Sequence, residues 1–237
     1  MTLHYHMGPV TPEGALRQLA GEMLGVSFAY PSQVETIHEI AQSVMLDNGA
    51  FTAFKQGRPI TDWTAYYEWC ARWLDYPSTW AVIPDVIAEG SQAQDPLVDQ
   101  WPHGDRGAPV WHTGEPIARL LRLCEKWPLV CIGSTDDHWQ VGGPLWTVRM
   151  HETFEEIERA FKRTPRLHML RGMAQCGGPW PFYSVDSSSV AQNHWRRRAP
   201  LFAGEGDAEF CSGPYARRFN VVQCPPRWQP PRVEVAA

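Results

Sequence analysis

Eight short apolar runs, most of them followed by a segment with a helical pattern, constrain the fold of this chain more than any other feature. The runs cover residues 3–7, 25–30, 43–47, 80–85, 109–112, 129–133, 167–170 and 182–186. A strand followed by a helix, repeated along the chain, pairs the strands in parallel. Eight such units in about 200 residues favour a closed barrel over an open doubly wound sheet, whose GxGxxG motif follows none of the runs. We therefore predict an α/β fold, a (β/α)8 TIM barrel.

Amphipathic patterns of helical period lie between the runs. The clearest of them cover residues 11–24, 61–74, 115–127 and 151–163. The first begins with Thr11, which we expect to be its N-cap, and with Pro12, which fits the first helical position. The segment between the fourth and fifth runs has a weaker pattern, and the one between the seventh and eighth is too short for more than one turn.

The pattern of runs stops near residue 198, and Pro and Gly become frequent beyond it. We predict a barrel domain over residues 1–198 and a C-terminal wrap or tail over residues 199–237. The final predicted helix ends in Arg196, Arg197 and Arg198. Such a basic run is usually a solvated helix end, and in an otherwise acidic chain it is also a candidate phosphate contact.

Composition excludes several classes of protein. The chain has 237 residues and a net charge of -5, so bulk charge does not hold it to nucleic acid, and a polyanion site has to be local. Its six cysteines form no CxxC pair, which argues against a zinc knuckle or a disulfide framework and for reduced thiols. No apolar stretch has the length of a membrane span, and the first residues do not resemble a signal peptide. We expect a cytoplasmic protein without membrane contact.

Polar residues and glycines end several of the runs or follow them closely. They are Asp47, Asp85, His112, Gly133, Gly172 and Asp186. The carboxyl ends of barrel strands share one face, where catalytic groups of TIM barrels lie. An Asp after a strand often caps the next helix, and Ser187–Ser189 are capping residues as well. Capping explains one such Asp better than three, because crowded carboxylates repel one another unless they serve a site.

The glycines and one aromatic residue indicate what this face could bind. Gly49 allows a sharp turn after the third run and would place Phe51 over the barrel mouth, where its ring could stack on a planar ligand. Gly133 and Gly172 would let a ligand approach the main chain closely. Carboxylate acceptors, main-chain groups and a stacking face together fit a purine-like base.

Six motifs in this order resemble the tRNA-guanine transglycosylase superfamily: LDNGAF, IPDV, VWH, IGS, HMLRGMA and SVDSSS. The closer similarity is to its small phage and bacterial members, which insert 7-deazaguanines into DNA. The resemblance covers roughly residues 3–195. It implies a (β/α)8 barrel that exchanges guanine for a preQ0-like 7-deazaguanine through a covalent bond between an Asp and the sugar C1′, with no cofactor.

The resemblance also implies a role for each matching residue. Asp186 would be the nucleophile, and Asp47 would be the general acid and base. We further expect Ser187–Ser189 to donate hydrogen bonds to Asp186 and to start the following helix. Phe51 would stack on the base, and Asp85 would accept from its N–H edge.

The remaining positions of the family pattern fall on strand ends. His112 stands where the family has a Gln that contacts the base carbonyl, and Gly133 would supply a main-chain contact. Met169 or Leu170 would close the opposite face of the base, with Gly172 beside it.

Two departures from the family pattern affect the expected partner. The cysteine and histidine spacing of the family's zinc site is missing, so we expect no metal, and the C-terminal part is short and rich in Pro. We therefore expect DNA and a free 7-deazaguanine base as partners, with tRNA as the alternative. A homodimer is left open.

Two other functions compete with this interpretation. A metal-dependent amidohydrolase of the TIM-barrel class could use His4, His6, His112 and Asp186 as ligands, although Gly133 stands where such sites have a sixth-strand histidine. A non-catalytic nucleobase-binding module would need Phe51, Asp85 and Gly133 but would have no use for Asp186 beside Asp47.

Overall fold

The computed structural model describes residues 1–87, 89–197 and 211–230. The described residues form nine strands: β1 Leu3–Met7, β2 Met23–Ser27, β3 Ser43–Asp47, β4 Thr79–Val82, β5 Gly107–Ala108, β6 Val110–His112, β7 Val130–Gly133, β8 Leu167–Met169 and β9 Ser184–Ser187. Nine α-helices accompany them in these parts of the chain: α1 Glu13–Arg17, α2 Val34–Ile40, α3 Ala50–Lys55, α4 Thr64–Trp73, α5 Ser91–Asp99, α6 Ile117–Lys126, α7 Pro144–Ala160, α8 Ser189–Asn193 and α9 Ser212–Asn220.

All neighbouring strands pair in parallel, in the order β5-β4-β3-β2-β1-β9-β8-β7-β6. The two outermost strands are separated by one residue, Pro109. On one side Ile83 N donates to Ala108 O at 2.9 Å, and on the other Cys131 N donates to Pro109 O at 2.9 Å. β5 and β6 therefore act as the two halves of one stave, and the sheet is a nearly closed barrel flanked by helices, which confirms the predicted TIM-barrel class.

Several element boundaries differ from those predicted. β2 begins and ends earlier than residues 25–30, and the chain turns after Ser27, with Tyr30 N donating to Ser27 O at 2.9 Å. β4 ends at Val82, and Pro84 two residues later has no N–H for a strand ladder. The helices α2 and α3 were not predicted, and α7 begins at Pro144 rather than at residue 151.

The predicted cap of the first helix is wrong. Pro12, with a ψ of 176°, occupies the N-cap position itself, so Thr11 lies outside the helix. α1 ends at Arg17, because residues 18–22 form the turn that leads into β2.

The apolar residues form an inner core within the barrel and outer layers between strands and helices. The inner core contains Tyr5, Met45, Val82, Val110 and Cys131. Strand residues of the opposite parity pack outward against the helices. A buried histidine, His168, also lies inside the barrel, with its ring centroid 5.1 Å from that of Trp80.

Residues 211–220 belong to the outer layer of the barrel. α9 contacts α1, α8 and β1, with Tyr215 and Ala216 buried. Ser212 Oγ donates to Ala15 O at 2.5 Å. Further along the same segment, the thiol of Cys224 lies 3.5 Å from the thiol of Cys176, a residue between β8 and β9. The predicted domain boundary at residue 198 falls outside the described residues. Within the described parts of the chain, each helix is too short or too polar to cross a membrane.

Candidate active site

A cavity of about 500 Å³ opens at the carboxyl ends of the strands. The residues that line it include most of the candidates that the sequence marked: Asp47, Phe51, Asp85, His112, Gly133, Leu170 and Asp186. A cavity of about 700 Å³ at the other end of the barrel is lined by residues such as Thr2, Arg166 and Tyr183, and contains none of these candidates. The chemistry-bearing groups therefore converge at the face where TIM barrels place their active sites.

Asp47 ends β3 at the wall of this cavity and is half-buried. Gly49, with a φ of 77°, turns the chain sharply, and its N–H donates to Asp47 Oδ2 at 3.2 Å. Burial raises the pKa of Asp47 to about 6; the charges of Asp186 and Asp85 add to this rise, and a hydrogen bond with Ser27 opposes it. A carboxyl group with a pKa near neutrality can both give and take a proton.

Asp186 lies on β9 with 6% of its surface exposed. Its Oδ1 accepts from Arg171 N at 2.7 Å and from His168 Nε2 at 3.2 Å. The other ring nitrogen of His168 is 2.8 Å from Ser184 Oγ. Both hydrogen bonds reach the same carboxylate oxygen and fix its direction, and the residue lines the cavity.

Of the two roles predicted for the serines after Asp186, Ser187 and Ser188 have the one at the start of the following helix. Ser187 Oγ accepts from Ser189 N at 3.0 Å, at the start of α8. Ser188 Oγ accepts from Gln192 Nε2 at 2.7 Å, one turn along the same helix. These hydroxyls serve the helix, and the groups that hold Asp186 come from β8 and the turn after it.

A buried chain of polar side chains holds Asp85. Asn48 Nδ2 donates to Asp85 Oδ1 at 2.8 Å, and His112 Nε2 lies 2.9 Å from Asp85 Oδ2. Gln94 Oε1 accepts from Val86 N at 2.9 Å, so its Nε2 is the group that lies 3.3 Å from His112 Nδ1. Because a carboxylate only accepts, His112 Nε2 is the donor to Asp85. Sequence reasoning missed Asn48 and Gln94, although Asn48 lies within the LDNGAF motif.

The ring of His112 therefore positions a carboxylate, and both of its nitrogens already have protein partners. The predicted ring contact of His112 with a base carbonyl does not fit this arrangement. Gly133 is required beside this ring, because a Cβ atom there would lie 2.7 Å from His112 Cδ2. The carboxylate of Asp85 is thus the group that this cluster presents to a ligand.

Phe51 on α3 remains 42% exposed and lines the cavity. The guanidinium carbon of Arg171 lies 4.5 Å from its ring centroid, and Lys55 Nζ lies 5.4 Å from it. Arg171 has a φ of 59°, and its Nη2 donates to Ser134 O at 3.1 Å. The predicted stacking residue is in place, but a cation already occupies one face of it.

Of the other predicted residues, Met169 and Gly172 do not line the cavity. Met169 is fully buried in the outer layer, and the next residue, Leu170, lines the cavity. Gly172 belongs to the turn after β8, where a Cβ atom would lie 2.6 Å from Met169 Cβ. Arg198 and the side chains of Arg196 and Arg197 lie outside the described part of the chain.

Only two of the four residues named for the amidohydrolase alternative, His112 and Asp186, line the cavity. His4 and His6 lie on β1 outside the cavity, and His6 Nε2 is 3.1 Å from Asn220 Oδ1 on α9. Within residues 1–87, 89–197 and 211–230, no group of three or more His, Cys, Asp or Glu side chains could hold a metal ion. The geometry therefore gives this alternative no support.

Comparison with protein-family models, with curated proteins and with solved structures found no match. The fold and the site define a TIM-barrel protein with a carboxylate-lined cavity at the carboxyl ends of its strands. What such a cavity can do follows from its own chemistry.

Proposed function

We propose that the protein is a base-exchange transglycosylase that replaces guanine in DNA by a 7-deazaguanine through a covalent bond between Asp186 and the sugar. The observation that carries the proposal is a pair of carboxyl groups in one cavity with different environments. Asp186 is fixed by hydrogen bonds to one oxygen, whereas burial raises the pKa of Asp47 to about 6. Carboxyl groups whose environments differ in this way divide the work of nucleophile and proton carrier.

In the first step Asp186 attacks C1′ of the target nucleotide. The C1′–O bond forms as the C1′–N9 bond breaks, and the electron pair of the broken bond goes to N9 of guanine. Protonated Asp47 gives its proton to N9, so guanine leaves as a neutral base. The covalent bond divides one difficult displacement into two easier ones.

In the second step the incoming 7-deazaguanine loses its N9 proton to the Asp47 carboxylate. Its N9 then attacks C1′ and displaces Asp186, which leaves as a carboxylate. The proton that Asp47 gave in the first step is recovered in the second, so the full exchange consumes no net proton.

Asp85 suits the recognition of both bases. Guanine and 7-deazaguanine differ at position 7 and share the edge with the ring N–H and the amino group. A carboxylate can accept from both donors, and here it is already oriented by Asn48 and His112. The cavity volume of about 500 Å³ has room for a base and part of its sugar. A target base has to leave its stack to reach this depth.

The decisive experiment is to incubate the protein with labelled 7-deazaguanine and either guanine-containing DNA or tRNA, followed by mass spectrometry of the nucleosides. We expect label in DNA from the parent and none from Asp186→Asn, whose amide oxygen can still accept from Arg171 N and His168. The matched control is Asp137→Asn, an exposed Asp on the same rim. Without incoming base, the parent should also form a protein–DNA adduct that survives denaturation.

Each alternative has its own outcome. Label in tRNA alone would move the substrate from DNA to tRNA while keeping the chemistry. Binding of free base without label or adduct in either nucleic acid would favour the non-catalytic binding module. Exchange at the parent rate by Asp186→Asn would rule out the covalent mechanism.

A further inference from the structure

The face of Phe51 that a base would use is occupied by Arg171. The guanidinium carbon lies 4.5 Å from the ring centroid, and both residues line the cavity. A base between the two groups would need a separation of about 7 Å, two contacts of about 3.5 Å each. Arg171 and a base therefore cannot both occupy this face of the ring in the observed arrangement.

Arg171 is held in this place only by exchangeable contacts. Its guanidinium donates to Ser134 O at 3.1 Å and stacks on Phe51. Among the described residues, no carboxylate lies within ion-pair distance of the guanidinium, because Asp186 binds the backbone N–H instead. Burial lowers the pKa of Arg171, and the charge of Asp186 opposes this. An anion that reached the cavity mouth would be a better partner than a carbonyl oxygen.

The backbone of Arg171 is anchored independently of its side chain. Its N–H donates to Asp186 Oδ1 at 2.7 Å, and its φ of 59° is rare for a residue other than glycine. The side chain can therefore change rotamer without moving the group that orients the nucleophile.

We propose that Arg171 is a gate that covers Phe51 in the free protein and moves to a phosphate of the target strand when the base stacks on Phe51. This inference rests on the proposed function. The phosphates of the target nucleotide flank the sugar whose C1′ faces Asp186, so they come within reach of the residue that binds Asp186. A free base has to displace the guanidinium although no phosphate is present to bind it. The free base therefore binds the protein more weakly than it would if Arg171 did not cover Phe51.

The test uses Arg171→Gly, because glycine accepts the positive φ and keeps the N–H that holds Asp186. We expect free 7-deazaguanine to bind this variant about 3- to 10-fold more tightly than the parent in calorimetry without nucleic acid. We expect a guanine-containing single-stranded oligonucleotide to bind about 10-fold more weakly in fluorescence anisotropy, with a salt slope smaller by about one. The two affinities thus change in opposite directions, which simple damage to the site would not produce.

Three further variants complete the test. Lys55→Ala removes the other cation near Phe51 and should leave the affinity for the free base unchanged. Arg171→Lys should keep most of the salt slope, since it retains a positive charge. Asparagine also tolerates a positive φ, so Arg171→Asn should show the same changes in the two affinities as Arg171→Gly. This agreement would exclude the added backbone flexibility of glycine as their cause.

The outcomes separate the gate from the proposed function. If the parent exchanges bases but Arg171→Gly binds the free base no more tightly, the gate is wrong and the transglycosylase proposal stands. An unchanged salt slope in that variant would overturn the phosphate contact. A parent that binds neither the base nor the oligonucleotide overturns both proposals.

Discussion

The residue with the most informative environment is Asp47, whose pKa burial raises to about 6. In the proposed mechanism it acts as an acid when guanine leaves and as a base when the new base attacks. Formation of the adduct should therefore decline above about pH 6, and its resolution by added 7-deazaguanine should decline below about pH 6. Single-turnover rates of the two half-reactions across pH 4.5–8 would measure this. Half-reactions with the same pH dependence would contradict the double role of Asp47.

The same raised pKa has a cost in stability. Between the ordinary pKa of 3.8 and about 6 the folded protein binds more protons at this group than the unfolded chain, so the free energy of unfolding falls as pH rises through that range. The loss amounts to up to about 3 kcal/mol. Asp47→Asn should thus stabilise the protein at pH 7.5 and have little effect at pH 4, in urea unfolding. Equal effects at both pH values would show that Asp47 is not held in its neutral form.

In the proposed function, recognition of the base depends on Asp85. In the parent protein, the two carboxylate oxygens of Asp85 accept from Asn48 and His112 and can also accept from the ligand. In Asp85→Asn the amide has only one accepting oxygen for these three partners. We expect at least a 10-fold loss in affinity for free 7-deazaguanine, corresponding to about 1.5 kcal/mol or more. The rate of adduct formation at saturating DNA should fall less than the affinity. Unchanged base affinity in calorimetry would remove Asp85 from the recognition role.

At the scale of elements, the connection from β6 to α6 is held by a buried ion pair. Glu115 Oε2 accepts from His112 N at 2.8 Å and from Arg119 Nη1 at 2.9 Å, and Arg119 is 1% exposed. Arg119 Nε also pairs with Asp95 on α5 at 2.8 Å. The pair joins two helices to the strand end that carries His112.

Removal of one partner of this pair should be costly. Glu115→Ala leaves a buried guanidinium without its buried carboxylate, and we expect a loss of about 3 kcal/mol in the free energy of unfolding. Glu13→Ala, which removes an exposed pair with Arg17, is the matched control and should cost less than about 1 kcal/mol. Urea unfolding of both variants measures the difference. Similar losses of the free energy of unfolding in the two variants would show that burial does not increase the contribution of the Glu115–Arg119 pair to stability.

At the scale of the whole molecule, closure of the barrel depends on the stave formed by β5 and β6, the two short strands on either side of Pro109. Gly107 is the first residue of this stave and packs closely against neighbouring side chains. A Cβ atom there would overlap Trp101 Nε1 and lie 2.7 Å from Ile83 Cγ1. Because Ile83 also donates the hydrogen bond to Ala108 O, this overlap would push the stave away from β4.

Gly107→Ala should therefore destabilise the whole barrel by about 1 to 3 kcal/mol, the usual cost of overpacking a core. Gly90→Ala provides the control, since a Cβ atom at that position meets open space. Its free energy of unfolding should change by less than about 0.5 kcal/mol. Urea unfolding followed by tryptophan fluorescence would compare them, and a stable Gly107→Ala variant would show that the stave can shift without loss.

Local patterns in the sequence were sufficient to predict the barrel and the face on which its site lies. Hydrophobic period and run length depend on neighbouring residues alone, and parallel strands necessarily bring their carboxyl ends together. That Asp47, Asp85, His112 and Asp186 would share one mouth therefore followed from counting the strands.

Only the tertiary structure decided which neighbours those residues have. Successive strand residues face opposite sides, so the register alone placed Leu170 in the cavity and Met169 in the outer layer. Gln94 reaches His112 from another helix, and Arg171 covers Phe51 across 120 positions of the chain. Such contacts depend on the relative positions of distant elements, which packing sets and local sequence does not encode. The pKa of Asp47 is set in the same way, since it results from burial and from charges on other strands.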